Sequence, residues 1–186
     1  MVGGRMSSLG QRSLDVARDH LMRRVREVPG RGIDPQVSAY LVSCRRGGTA
    51  GAGILDLTGV ALGLRDDDTA WCAAFASHCM AVSMLCADTD DVERAPHGFR
   101  AAVHEIVSDS KARGFWRGPT DRPELGWLAI WTRGAGDPLR GGTGHVGRVS
   151  WIGGSTYATI DGNVNNSVVE VMHSMADLEL RGWVEV

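Results

Sequence analysis

Four cysteines occur in the chain, and three of them, Cys72, Cys79 and Cys86, recur every seven residues. On one helix that spacing is roughly 10 Å along the axis. A disulfide tolerates about 7 Å between Cα atoms. No Cys-x-x-Cys pair is present, which argues against zinc-ribbon and thioredoxin-type chemistry. Cysteine attacks as the thiolate, and the free N–H groups at a helix start favour that form. Cys72 falls in the first turn of a helix predicted from Trp71 to Ala87, while Cys79 and Cys86 lie further along it without that help. Cys72 is therefore the candidate nucleophile, and Cys79 and Cys86 read as small buried apolar residues. Whether Cys44 pairs with another cysteine is not decided by the sequence.

A cysteine nucleophile needs a base, usually histidine, oriented by a third polar group. Six histidines are available. His78 lies six positions beyond Cys72, on another face of the helix. His97 and His104 fall near or within what reads as surface scaffold, His20 sits among arginines, and His173 closes a late strand. His145 differs, because Gly144-His145-Val146-Gly147 opens a strand with glycines that leave room for a substrate backbone. The next strand ends in Ile160-Asp161-Gly162-Asn163, which brings an Asp and an Asn near the start of the histidine strand. The chain order is thus Cys, His, then Asp or Asn. A three-residue loop Gly153-Gly154-Ser155 would set His145 opposite Asn163, with Asp161 on the same face; a two-residue loop at Gly153-Gly154 would turn both away. We expect the first register, or a bulge that restores it, with Asn163 as the direct partner of His145 and Asp161 in support.

The elements that must hold these residues change period along the chain. Leu14, Ala17, Leu21 and Val25 recur at helical spacing, predicting an amphipathic helix over about 8–27. Asp34-Pro35 starts a second helix with Val37, Tyr40, Leu41 and Cys44 as its stripe. Arg45 to Gly53 is a glycine-rich loop without the Gly-Lys-Ser/Thr of a phosphate loop. Ile54 to Leu64 is ambiguous between helix and irregular insertion. Asp66-Asp67-Asp68-Thr69 reads as the N-terminal signal of the Cys72 helix, with a metal site the less favoured reading. That helix is apolar nearly all round and should be buried. A fourth runs from about Phe99 to Arg113. From Trp127 the period becomes two, predicting strands at Trp127–Thr132, Val146–Ile152, Thr156–Asp161, Val168–His173 and Trp183–Val186. Helices first and consecutive strands later predict an α+β fold with an antiparallel sheet.

Trp71-Cys72-Ala73-Ala74-Phe75-Ala76-Ser77, Gly144-His145-Val146-Gly147 and Ile160-Asp161-Gly162-Asn163 together resemble the three motifs of CHAP-type cysteine peptidoglycan hydrolases, relatives of the NlpC/P60 group in the papain-like superfamily. Arg26 to Gly30, Tyr40-Leu41 and Leu128-Ala129-Ile130-Trp131 extend the similarity from about Leu14 to Val186. The resemblance implies a papain-like fold, with the nucleophile at the N-terminus of a buried helix packed on an antiparallel sheet. It implies catalytic Cys72 and His145, with Asn163 and Asp161 orienting the imidazole, and Trp71 and Gly144 at the substrate. Asp161 stands where the family usually has Glu, and Gly126-Trp127 where it commonly has Gly-Asp. The calcium-binding acids of some members have no match, so neither metal nor other cofactor is expected. The chain is read as a single catalytic domain over 1–186, with 1–12 a flexible lead and 42–68 an insertion.

The implied reaction is hydrolysis of a peptidoglycan amide through an acyl-enzyme, either at the N-acetylmuramoyl–L-alanine bond or within the stem peptide or cross-bridge. A phage lysin or an interbacterial toxin with a cognate inhibitor protein fits this reading. The alternatives are a cytosolic amidase for a small peptide-like substrate and a non-catalytic CHAP-like structural or binding module. The N-terminus lacks the apolar core of a secretory signal, so synthesis in the cytoplasm and delivery to the periplasm or wall by secretion or phage lysis is expected. The 20 basic and 22 acidic residues argue against a nucleic-acid partner. No apolar run approaches the ~18–20 residues of a membrane span. With 186 residues, 43% of them hydrophobic, the chain can bury a core without metal or disulfide, as a monomer.

Overall fold

The computed structural model of the chain describes residues 8–26, 36–37, 39–40, 71–85 and 95–186. Among these residues, helix α1 spans Leu9–Met22, α2 Cys72–Leu85 and α3 Val103–Ala112. The strands are β1 Trp116–Arg117, β2 Leu128–Thr132, β3 Gly144–Gly153, β4 Thr156–Val164, β5 Ser167–Ser174 and β6 Leu180–Val184. They form one antiparallel sheet in the order β1-β6-β2-β3-β4-β5, with three helices packed on it. This is the expected α+β architecture of helices on an antiparallel sheet.

Ser8 caps α1, its hydroxyl accepting from the Gln11 N–H at 3.1 Å. Residues 9–12 thus form the first turn of α1. The helix ends in a turn at Arg24, which takes a left-handed φ of 54°. Residues 36, 37, 39 and 40 are helical, and Tyr40 is fully buried. The expected insertion 42–68, Leu41, Cys44, Cys86, the Arg45 loop and the Asp66–Asp68 run lie outside the described residues.

Helix α2 buries every residue except Val82 and Leu85. Such a helix has no solvent face, so propensity matters less than the apolar shell around it. One part of that shell joins Leu14, Ala17, Tyr40, Trp71, Phe75 and Ile160; another joins Cys72, Ala76, Ile106, Leu128, Ile130 and Val146. The opposite face of the sheet has its own core, with Trp127, Ala129, Trp131, Val149, Tyr157 and Trp183. The two sets alternate along β2, as side chains on a pleated strand must. Gly162 lets β4 approach α2: a Cβ there would lie 2.7 Å from Phe75 Cβ and 2.8 Å from the Trp71 ring.

The β3–β4 hairpin fixes the site, and it does so by a bulge. Gly153 pairs with Thr156, leaving Gly154-Ser155 as a two-residue loop instead of the expected three. Gly154 takes a φ of 59° at the first central position, where a type II′ turn places glycine. The register then shifts between Val149 and Trp151, so that Gly147 pairs with Asp161. The bulge restores the register expected near the site, because one extra residue on β3 reverses the faces beyond it.

The buried polar residues include His97 and Arg148. His97 is fully buried in the segment before α3, not on surface scaffold. That segment is irregular, so α3 begins at Val103 and not near Phe99. Arg148, on β3, is 1% exposed; its guanidinium donates to Gly126 O at 2.7 Å and Ala76 O at 3.1 Å. It ties the sheet to the middle of α2. Burial lowers its pKa to about 10, which still leaves it charged at neutral pH.

Candidate active site

Cys72 is the first residue of α2, where the helix leaves its N–H groups unpaired. It is 1% exposed. Burial alone would raise the thiol pKa, but the contacts overturn that. A hydrogen bond with His145, the charge of that imidazole, the Val146 backbone N–H and the Arg133 charge together bring it below its ordinary value. Cys79 shows what burial does without such partners: its thiol is pushed up to about 12. Two cysteines on one helix therefore differ in chemistry because of where the helix begins and what faces it.

His145 is the second residue of β3. Its Nε2–H donates to Asp161 Oδ2 at 2.8 Å, which leaves Nδ1 as the nitrogen for the Cys72 sulfur. The side chain of His145 is 18% exposed and that of Asp161 2%. Burial disfavours the imidazolium, but the hydrogen bonds to Asp161 and Cys72 and the charges of both raise its pKa to about 10. The Trp131 ring, across the strand pair, lies 5.8 Å from the imidazole and limits where it can turn. The directions on Cys72 and His145 agree. Proton transfer from thiol to imidazole, with Asp161 holding the resulting cation, is favoured.

Both glycines of the histidine motif are explained by packing within the chain. A Cβ at Gly147 would lie 1.9 Å from Asp161 Oδ1, so only glycine lets the carboxylate lean across to His145. A Cβ at Gly144 would meet the Pro138 ring at 2.8 Å and Trp131 O at 2.9 Å. Gly144 is thus a close-packed position and not room for a substrate. Trp71 is likewise 1% exposed within the core and offers no surface to one.

The structure brings Cys72, His145 and Asp161 together and gives the imidazole to Asp161, not to Asn163. Asn163 has a left-handed φ of 64°, at a break in the β4–β5 register between Asp161 and Val164. Strand alternation stops holding there, so the residue facing His145 by register does not supply its partner. Among the described residues the Asn163 side chain makes no hydrogen bond to the ring. Arg133 is the residue that sequence reading missed; its charge acts on Cys72 from the turn after β2. The signal was its position two residues after Trp131, which pairs with His145. Among the described residues no group of three or more His, Cys, Asp or Glu is placed to hold a metal ion.

Comparison with known proteins agrees with this geometry. Residues 65–163, more than half of the chain, match the family model of the CHAP domain. That interval contains Cys72, His145 and Asp161, and ends at Asn163. No curated protein and no solved structure matches. The chain belongs to the CHAP family, whose membership implies, in general terms, a hydrolase of the cysteine or amidase type directed at peptidoglycan.

Proposed function

We propose that this protein cleaves an amide bond in bacterial peptidoglycan by a Cys72 acyl-enzyme mechanism. One arrangement carries the reading: a cysteine at the start of a buried helix acts with an imidazole whose Nε2–H is held at 2.8 Å by a buried carboxylate, and the imidazole brings the thiol pKa down. The Cys72 thiolate attacks the carbonyl carbon, and the imidazolium of His145 gives its proton to the leaving amine. Neutral His145 then takes a proton from water, whose oxygen attacks the acyl carbon and frees the thiolate. The Cys72 backbone N–H, one of the groups for which a helix start provides no intrahelical partner, is a donor for the oxyanion. Asp161 holds the ring and stabilises its charged form, as a triad's third member does.

The bond cut is the N-acetylmuramoyl–L-alanine amide or a peptide bond of the stem or cross-bridge. The place of action is the cell wall, where that polymer lies, reached by secretion or phage lysis. A role as toxin or lysin would give it a cognate inhibitor as partner. Zymography on purified peptidoglycan tests the reading. Wild-type protein should clear the gel and Cys72→Ala should not. Clearing by both proteins, or by neither, would contradict it.

A further inference from the structure

We infer that Arg133 is a substrate-binding residue that recognises a carboxylate of the peptide beside the scissile amide. The inference rests on the hydrolase reading above and names the chemistry of one subsite. Arg133 directly follows β2, whose last residues pair with the first residues of the His145 strand: Trp131 with His145 and Thr132 with Gly144. Alternation along β2 carries Arg133 onto the face of Trp131 and His145.

Its backbone is fixed from two sides. Arg133 O accepts from the Gly136 N–H at 3.1 Å and from the Thr143 hydroxyl at 3.1 Å. Gly136 has no room for a side chain, since a Cβ would lie 1.9 Å from the Thr143 hydroxyl oxygen. Asp137 caps the following turn at the Leu139 N–H, 3.0 Å away, and pairs with Arg181. The platform is therefore rigid, while the side chain it carries is exposed and has no ion-pair partner among the described residues. By contrast Arg100 pairs with Asp109, Arg117 with Glu185 and Arg181 with Asp137. Arg133 stands two residues beyond Trp131, the cross-strand partner of His145, and its charge helps to lower the Cys72 thiol.

A planar guanidinium carried on such a backbone and left without an ion-pair partner among the described residues suits a carboxylate, which takes two parallel N–H bonds. Peptidoglycan stems carry free carboxylates, and some carry the primary carboxamide in their place. A carboxamide is neutral and presents one acceptor oxygen, so it loses both the charge and the fork.

The test uses paired N-acetylmuramoyl peptides that differ only in carboxylate against carboxamide at the acidic residue. Binding is measured on Cys72→Ala protein with Arg133 and with Arg133→Gln, and kcat/KM on the corresponding active proteins. Arg133 protein should bind the carboxylate form at least about tenfold more tightly, and Arg133→Gln should erase that preference, with the larger loss on the carboxylate form. Arg133→Lys should keep only part of it. Equal binding of the two forms, or no binding of either, overturns the inference. An equal fall for both forms in Arg133→Gln, with a raised thiol pKa in alkylation rates, also overturns it and assigns Arg133 to thiolate stabilisation alone. Carboxylate-selective binding without turnover by the wild-type protein would support the subsite and count against the hydrolase reading.

Discussion

Adding one methyl group at Gly147 should disable the site without touching any residue that does chemistry. An ideal Cβ there lies 1.9 Å from Asp161 Oδ1, 2.7 Å from its Cγ and 2.9 Å from Thr159 Cβ. An ordinary contact needs about 3.4 Å, so the carboxylate must retreat by about 1.5 Å. The hydrogen bond it makes to His145 is 2.8 Å long, and such a retreat takes it beyond 4 Å, where no bond remains. A hydrogen bond to a charged group contributes about 1.5–3 kcal/mol. At about 1.36 kcal/mol per tenfold, Gly147→Ala should lower kcat/KM on peptidoglycan about 10- to 150-fold. The imidazole pKa, now about 10, should fall in the same variant. Two assays follow: the rate, and titration of the His145 ring by NMR. Asp161→Asn, which keeps the shape and removes the charge, separates loss of the carboxylate from general damage to the fold. A Gly147→Ala protein within threefold of wild type, with its imidazole still titrating high, would refute the reasoning.

Three further outcomes follow from the same geometry. Limiting iodoacetamide should label Cys72 before Cys79, because one thiol is lowered and the other pushed up to about 12; inactivation that tracks labelling of Cys79 would count against the assignment. His78 and His97 are buried and held neutral, each lowered to about 4 by burial. The unfolded chain binds their protons first as pH falls from about 6.5 to about 4, so stability should drop through that window by up to about 3 kcal/mol for each residue; urea unfolding at both pH values checks it, and a flat profile would refute it. Arg148→Met strands the Gly126 and Ala76 carbonyls and should cost about 2–5 kcal/mol, read as a lower urea midpoint; a loss under 1 kcal/mol would show that water replaces the guanidinium.

The legible parts of the chain are those with periodicity. The even alternation from Trp127 onward foretold the β2–β5 strands, and the apolar Trp71–Ala87 run foretold a helix with no solvent face. The His145 register was legible only up to a correction, because a β-bulge leaves no mark in an alternating pattern; the two-residue turn and the shift at Ser150 compensate each other. Asp161 could not be preferred over Asn163 from register alone. The choice depends on a left-handed φ at Asn163 and on the space left by Gly147, both properties of the folded backbone. Arg148 and His97 were illegible for a different reason. A charged residue on a strand and a histidine in a loop both read as solvated; the distant Gly126 and Ala76 carbonyls offset the burial of Arg148, and the adjacent Gly98 carbonyl takes one ring nitrogen of His97, which stays neutral. β1, with two residues, is too short to show any period.

Mass spectrometry of muropeptides from purified peptidoglycan tests the central claim most directly. The claim is that Cys72, activated by His145 and Asp161, hydrolyses one kind of amide bond in that polymer. Wild-type protein should produce one new pair of amine and carboxyl termini, whose masses name the bond cut, and Cys72→Ala should produce none. Termini that appear equally with Cys72→Ala, or none with the wild-type protein, would contradict the account.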